Sequence, residues 1–169
     1  MIRSARLAVG DTRGSAAAEM ALVLPLLLII MFGSAELGNY FMNEHSLVKA
    51  VRDGARFAAR QDFSNYTTCS GTPGGSVEAD TRNVVMRGYL TGGTIITPNV
   101  QAINVSVTTS CATTAGGQTM QGIYLGRVTG AQIVTVTASV TYRPILSSYG
   151  FSGIGYQLNA SSQAAVAGI

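Results

Sequence analysis

Arg13-Gly14-Ser15-Ala16-Ala17-Ala18-Glu19-Met20-Ala21-Leu22-Val23-Leu24-Pro25 runs directly into Leu26-Leu27-Leu28-Ile29-Ile30-Met31-Phe32. A basic leader ends at a glycine. A run of small residues follows, then one carboxylate, then an apolar segment. A soluble core has no need of that order. It reads as a membrane helix with a cutting site before it and a single charge near its start.

From Ser15 to Ala35 the only charge is Glu19. As a helix this stretch is about 31 Å long, close to the thickness of a bilayer core. The wholly uncharged part, Met20 to Ala35, is shorter than a typical span. Arg3, Arg6 and Arg13 precede it, and Glu36 and Glu44 are the first charges after it. The positive-inside rule then places the N-terminus in the cytoplasm and the bulk of the chain outside. Pro25 cannot donate to the carbonyl of Ala21, so a loosened turn is expected there.

Beyond the apolar stretch, Leu37, Tyr40, Phe41, Leu47, Val48, Val51, Ala55, Ala58 and Ala59 recur at helical spacing. Lys49, Arg52, Asp53, Arg56 and Arg60 occupy the other face. One long helix from Ser15 to about Gln61 is predicted, apolar in its first half and amphipathic in its second. The cationic stripe reads as a solvated face, or as a contact strip for neighbouring subunits or acidic lipid headgroups.

Residues 64–76 read as a loop. Ser76 can cap a second helix from Val77 to about Leu90, with Glu78 and Asp80 in its first turn and Gly92-Gly93 at its end. The remainder reads as strands. Gln101 to Thr109 alternates through Ile103, Val105 and Val107. Gln132 to Tyr142 alternates Val134, Val136, Ala138, Val140 and Tyr142 against Ile133, Thr135, Thr137, Ser139 and Thr141. Thr119 to Leu125 is a candidate short strand and Tyr156 to Val166 a last one. Arg143-Pro144 stops the long strand. The fold class is α+β, with the long helix packed on a small antiparallel sheet of three or four strands.

Composition bounds the function. The 169 residues are 47% hydrophobic and only 11% charged, against about 25% charged in an average globular chain. Gly, Ser, Thr and Ala fill the difference, as in exported β-rich proteins. Setting aside Arg3, Arg6, Arg13 and Asp11 from eleven basic and eight acidic residues leaves eight and seven, near balance. The net charge of +3 is thus no argument for nucleic acid.

Two cysteines, Cys69 and Cys111, both follow the apolar segment. In an exported chain an even count points to a disulfide; two buried free thiols are the alternative. A bridge would close some forty residues, worth roughly 3–4 kcal/mol in the chain-entropy model. The lone His45 reads as a helix-face residue. No metal-ligand spacing, phosphate-cradling glycine loop or nucleophile motif stands out. An enzyme is not expected, nor a cofactor or a small-molecule substrate. Asn65-Tyr66-Thr67, Asn104-Val105-Ser106 and Asn159-Ala160-Ser161 fit a glycosylation pattern, which a chain rich in Ser and Thr matches cheaply.

Glu19 reads either as a snorkelling residue at the membrane interface or as a carboxylate awaiting a cation. A cut after Gly14 would create an amine on Ser15, and the amine of one subunit could meet Glu19 of another. Pairing two desolvated charges fixes register, because any stagger that isolates either one is penalised.

The run from Arg13 to Pro25 resembles the N-terminus of the TadE-like proteins, minor pilins or pseudopilins of the bacterial Tad (tight adherence, Flp-type) pilus. Gly14, Glu19 and Pro25 keep the family register; Met20 stands where many relatives carry Phe. Ala50 to Arg60 is also similar to the family's helix end. The resemblance implies a type IV pilin-like architecture in four parts. Residues 1–14 would be a cytoplasmic leader removed by a prepilin peptidase, with Gly14 and Ser15 flanking the cut. Residues 15–36 would be the transmembrane and assembly helix, carrying Glu19 and Pro25. Residues 37–63 would continue the helix, and residues 64–169 would form a periplasmic or extracellular globular region. The implied partners are the peptidase, other Tad pilins and minor pilins, the inner-membrane assembly platform and membrane lipids. Two rival readings stay open: a secretory signal peptide cut after Gly33-Ser34-Ala35, and an unprocessed single-span accessory protein.

Overall fold

The computed structural model describes residues 13–96, 100–115, 118–149 and 156–168. The chain divides into two compact units, the first ending at Asn39 and the second running from Tyr40 to Ile169. Residues 1–12 of the expected leader (1–14) and the Gly116-Gly117 link lie outside the described residues, as do residues 150–155 of the last loop.

The long helix exists. Helix α1 spans Arg13–Ala59 with Pro25 inside it. It ends two residues earlier than expected because its last turn tightens. Arg60 N–H donates to Phe57 O and Gln61 N–H to Ala58 O, the three-residue bonding that closes many helix ends. A one-turn 3-10 helix, Phe63–Asn65, follows. Asp62 opens it by accepting the Ser64 N–H at 2.7 Å. That hydrogen bond is the main reason the Asp62 carboxyl is held below its ordinary pKa.

In the first unit the apolar residues of α1 have no cover. Met20, Leu22, Val23, Leu24 and Leu26 through Phe32 are all exposed. Among the described residues this is the one helix long and apolar enough to cross a membrane, and none of its apolar window is buried.

The second unit begins with the amphipathic part of α1. Leu47, Ala50, Val51, Ala55, Ala58 and Ala59 are buried. Leu37 and Phe41, read from the sequence as core-facing, are exposed. Leu37 belongs to the first unit, and the ring of Phe41 stands edge-on to Tyr40. Lys49, Arg52, Asp53, Arg56 and Arg60 are all exposed, as a solvated stripe requires. Arg56 and Asp53 approach to 3.8 Å on that open face, a contact of little energetic consequence in water.

Helix α2 spans Val77–Arg87, three residues shorter than expected. Gly88, at φ 75°, ends it in the left-handed conformation that glycine adopts without strain, so Gly92-Gly93 are not its stop. Ser76 is at the N-cap but makes no capping bond. Its hydroxyl instead donates to Asp80 Oδ2 at 2.6 Å.

Strands β1 (Val100–Ala112), β4 (Ala131–Tyr142) and β5 (Gln157–Ala165) form an antiparallel sheet in the order β1-β4-β5. Between them, β2 (Thr114–Ala115) and β3 (Gln118–Thr119) make a two-residue ladder. The strand expected over Thr119 to Leu125 is absent beyond Thr119. Gly122–Tyr124 is a 3-10 turn, and Tyr124 turns inward so that its hydroxyl donates to Val166 O at 2.7 Å. Strand β1 runs three residues past Thr109 because its pairing with β4 continues to Ala112↔Ala131.

The period-two pattern of β4 is obeyed. Val134, Val136, Ala138, Val140 and Tyr142 are buried, and they pack with Val105, Val107, Leu158 and the α1 residues in one core. Full burial of one valine contributes roughly 1.5–3 kcal/mol, so this stripe is the main stabilising layer. The other face carries Asn, Ser, Thr and Gln and meets water. The outer edge of β1 is closed. Arg82 Nε donates to Val105 O at 2.9 Å and Thr109 N–H donates to Gly71 O at 2.8 Å.

Candidate functional site

The site begins with the first two turns of α1. Gly14 and Ser15 lie within the helix, which starts at Arg13. A side chain at Gly14 would meet nothing within 4 Å. Ser15 Oγ donates to Glu19 Oε1 at 3.3 Å. Four residues separate them, one helical turn, so hydroxyl and carboxylate sit on the same face. Both are exposed.

Glu19 therefore stands at the head of an uncovered apolar surface, one turn from the residue whose amine a cut after Gly14 would release. Its chemistry is that of an anion presented laterally. In water it needs no partner. In an apolar bundle it needs a cation, or it must be neutralised. Pro25, six residues further, has no N–H to give, so the Ala21 carbonyl lacks its helical donor. The helix is continuous through both residues.

Away from the helix start, Cys69 and Cys111 form a disulfide with Cα atoms 4.9 Å apart. It fastens the loop after α1 to the end of β1, beside the bond from Thr109 to Gly71. No free cysteine remains. Its role is structural: the sulfurs are spent, and the loop they hold carries no other reactive group among the described residues.

Three positions matter that sequence reasoning did not single out. Tyr66 is 1% exposed, and its hydroxyl donates to Ala58 O at the end of α1. Burial pushes its pKa up to about 12. Gln132, also buried, donates from Nε2 to Tyr66 O at 3.1 Å and to Thr129 Oγ1 at 2.8 Å. Arg127 lies 3.9 Å above the Phe63 ring. In the sequence, Tyr66 stood only inside a glycosylation-like tripeptide. Nothing local marks it as the residue that ties the helix end to the sheet.

On the outer face of the sheet, Asn104, Ser106, Thr137, Ser139, Asn159 and Ser161 line a shallow open groove without a titratable group. Among the described residues, no three His, Cys, Asp or Glu side chains stand close enough to hold a metal ion.

Residues 14–56 match the family model described as TadE-like protein. Over these residues, about a quarter of its length, the chain is similar to TadE-like proteins. The match opens on Gly14, the residue before the expected cut, and closes in the last turns of α1. The similarity suggests a Tad pilus-associated protein, and by length and composition the helix could span a membrane. The TadE-like segment contains Gly14, Ser15, Glu19 and Pro25, and leaves the disulfide and the sheet outside it. No curated protein and no solved structure matches the chain.

Proposed function

We propose that the protein is a minor pilin, or pseudopilin, of a Tad pilus, a structural subunit rather than an enzyme. A prepilin peptidase cuts between Gly14 and Ser15 on the cytoplasmic side. The mature chain waits in the inner membrane, with the unit from Tyr40 onward in the periplasm. It then enters the pilus or primes its assembly through contacts between helices, in company with other pilins and the membrane assembly platform. Surface adhesion is the activity such an assembly serves.

The observation that carries this reading is the bare apolar surface of α1 with Glu19 at its head, one turn from Ser15. A secretory signal would be discarded at Ala35, yet α1 runs on without interruption to Ala59, where its amphipathic half supplies the core of the second unit. Cutting there would leave a new terminus only a few residues from that core. Retaining the apolar half instead leaves a long helix to pack against similar helices, and Glu19 then favours one register by pairing with a neighbour's Ser15 amine.

Mass spectrometry of the mature N-terminus tests it. A chain beginning at Ser15 supports the proposal. One beginning at Glu36 returns the secretory reading, and one retaining Met1 in cells with active peptidase returns the unprocessed anchor. Replacing Gly14 with Leu should abolish maturation only under the first.

A further inference from the structure

The sheet of the second unit has two ends, and several contacts fix which is which. Tyr142, at the end of β4, has its ring 5.4 Å from that of Tyr40, the first residue of this unit. Tyr142 also pairs with Val100 at the start of β1 and donates its N–H to Tyr156 O. Helix α2 begins near Asn65, whose carbonyl accepts the Gly74 N–H at 2.7 Å, beyond the C-terminal end of α1. It passes Gly54 at Thr81 and Val85, and Arg82 meets β1 at Val105. The residues after α2 therefore continue toward the Val100–Tyr142 end. Ile96 N–H donates to Met86 O at 2.9 Å and folds that loop back onto the helix.

At this end the large side chains Tyr89, Leu90, Ile95, Ile96, Ile145 and Tyr156 are between 40% and 66% exposed. Arg87 and Arg143 are exposed among them. After Asp80 the sequence contains no carboxylate side chain at all, only Arg82, Arg87, Arg127 and Arg143 as charges. The rim is thus apolar and supplied with tyrosines; Arg87 and Arg143 are the charges on the segments after α2 and β4, while Glu36 and Glu44 flank Tyr40 along α1.

We propose that this rim docks on an anionic lipid surface: the second unit seats its Tyr40–Tyr142 end on the bilayer that α1 enters. The inference rests on the membrane reading of α1. Chain continuity supplies the proximity, since the residues from Ala35 to Tyr40 reach at most about 18 Å. The chemistry supplies the fit. Tyrosines favour the headgroup layer, aliphatic side chains gain by entering its lower edge, and arginines are attracted to acidic headgroups. The exposed apolar side chains at the opposite end, Ile123, Leu125 and Val128, have no such tether to bring them to that bilayer.

The chain contains no tryptophan, so one introduced at an exposed position reports its own surroundings. The full-length protein is reconstituted into vesicles of brominated phosphatidylcholine with phosphatidylglycerol, carrying Leu90→Trp, Ile145→Trp or Val128→Trp. The expected result is loss of most Leu90→Trp and Ile145→Trp emission to bromine quenching, with Val128→Trp unaffected. Arg87→Glu with Arg143→Glu should restore the Leu90→Trp emission, as should omission of phosphatidylglycerol. Equal quenching at all three positions, or none at Leu90 and Ile145 in protein that floats with the vesicles, overturns docking and leaves the anchor standing. A blue-shifted but unquenched Leu90→Trp places protein rather than lipid on the rim and also overturns it. Protein that fails to float overturns the anchor and the docking together.

Discussion

Gly54 of α1 and Val85 of α2 are in such close contact that a Cβ added to Gly54 would overlap Val85 Cγ2, with Thr81 Cγ2 3.5 Å away on the other side. Val85 is 3% exposed and Thr81 fully buried, so neither can swing clear. Gly54→Ala gains about 1 kcal/mol of helix propensity but overpacks a β-branched contact, which costs typically 1–3 kcal/mol. The clash should win. Thermal unfolding should show a lowered midpoint, and adding Val85→Ala should recover part of the loss, giving a non-additive double-mutant cycle.

The disulfide should carry a measurable share of stability. Cys69 and Cys111 are 42 residues apart in sequence, and bridges over loops of that size contribute typically 2–4 kcal/mol. Replacing both cysteines with Ser should lower the urea midpoint by a corresponding amount. The sheet should survive, because its β1–β4 ladder and valine core do not depend on the sulfurs. Far-ultraviolet circular dichroism distinguishes this from global collapse.

Tyr66 makes stability depend on alkaline pH. Its folded pKa, about 12, lies above the ordinary value of 10.0, because burial disfavours the phenolate. The contribution is complete below pH 10 and is lost as pH rises through 12. Denaturant unfolding between pH 9 and 12 should show the midpoint falling across that window. Tyr66→Phe should flatten the fall and lower stability at neutral pH by about 0.5–1.5 kcal/mol, the worth of its hydrogen bond to Ala58 O.

Glu19 should separate processing from assembly. Glu19→Gln retains shape and hydrogen bonding while removing the charge proposed to pair with a neighbour's amine. The mature N-terminus should still be Ser15, and the subunit should still reach the membrane fraction. Its recovery in sheared pili should fall severalfold. Immunoblots of the sheared and membrane fractions, with the N-terminal mass, read all three.

Local patterning determined the elements of this protein. The long helix, the alternation of β4, the run from Gly14 to Pro25 and the lone Glu19 within it are all properties of residues near one another along the chain. Hydrophobic period and side-chain chemistry are enough to read them. Their limits were less legible. The end of α2 depended on Gly88 rather than the Gly92-Gly93 pair, and the segment after Thr119 became a turn because Tyr124 reaches Val166.

Tertiary structure alone decided which distant groups meet. The pairing of Cys69 with Cys111 was foreseeable from their number, but not the closing of the β1 edge by Arg82 and Gly71. Nor was the seat of Tyr66 under the end of α1, or the need for glycine at position 54. Each of these depends on contacts between elements far apart in the chain, where shape and burial set the outcome. Sequence spacing carries no record of that geometry.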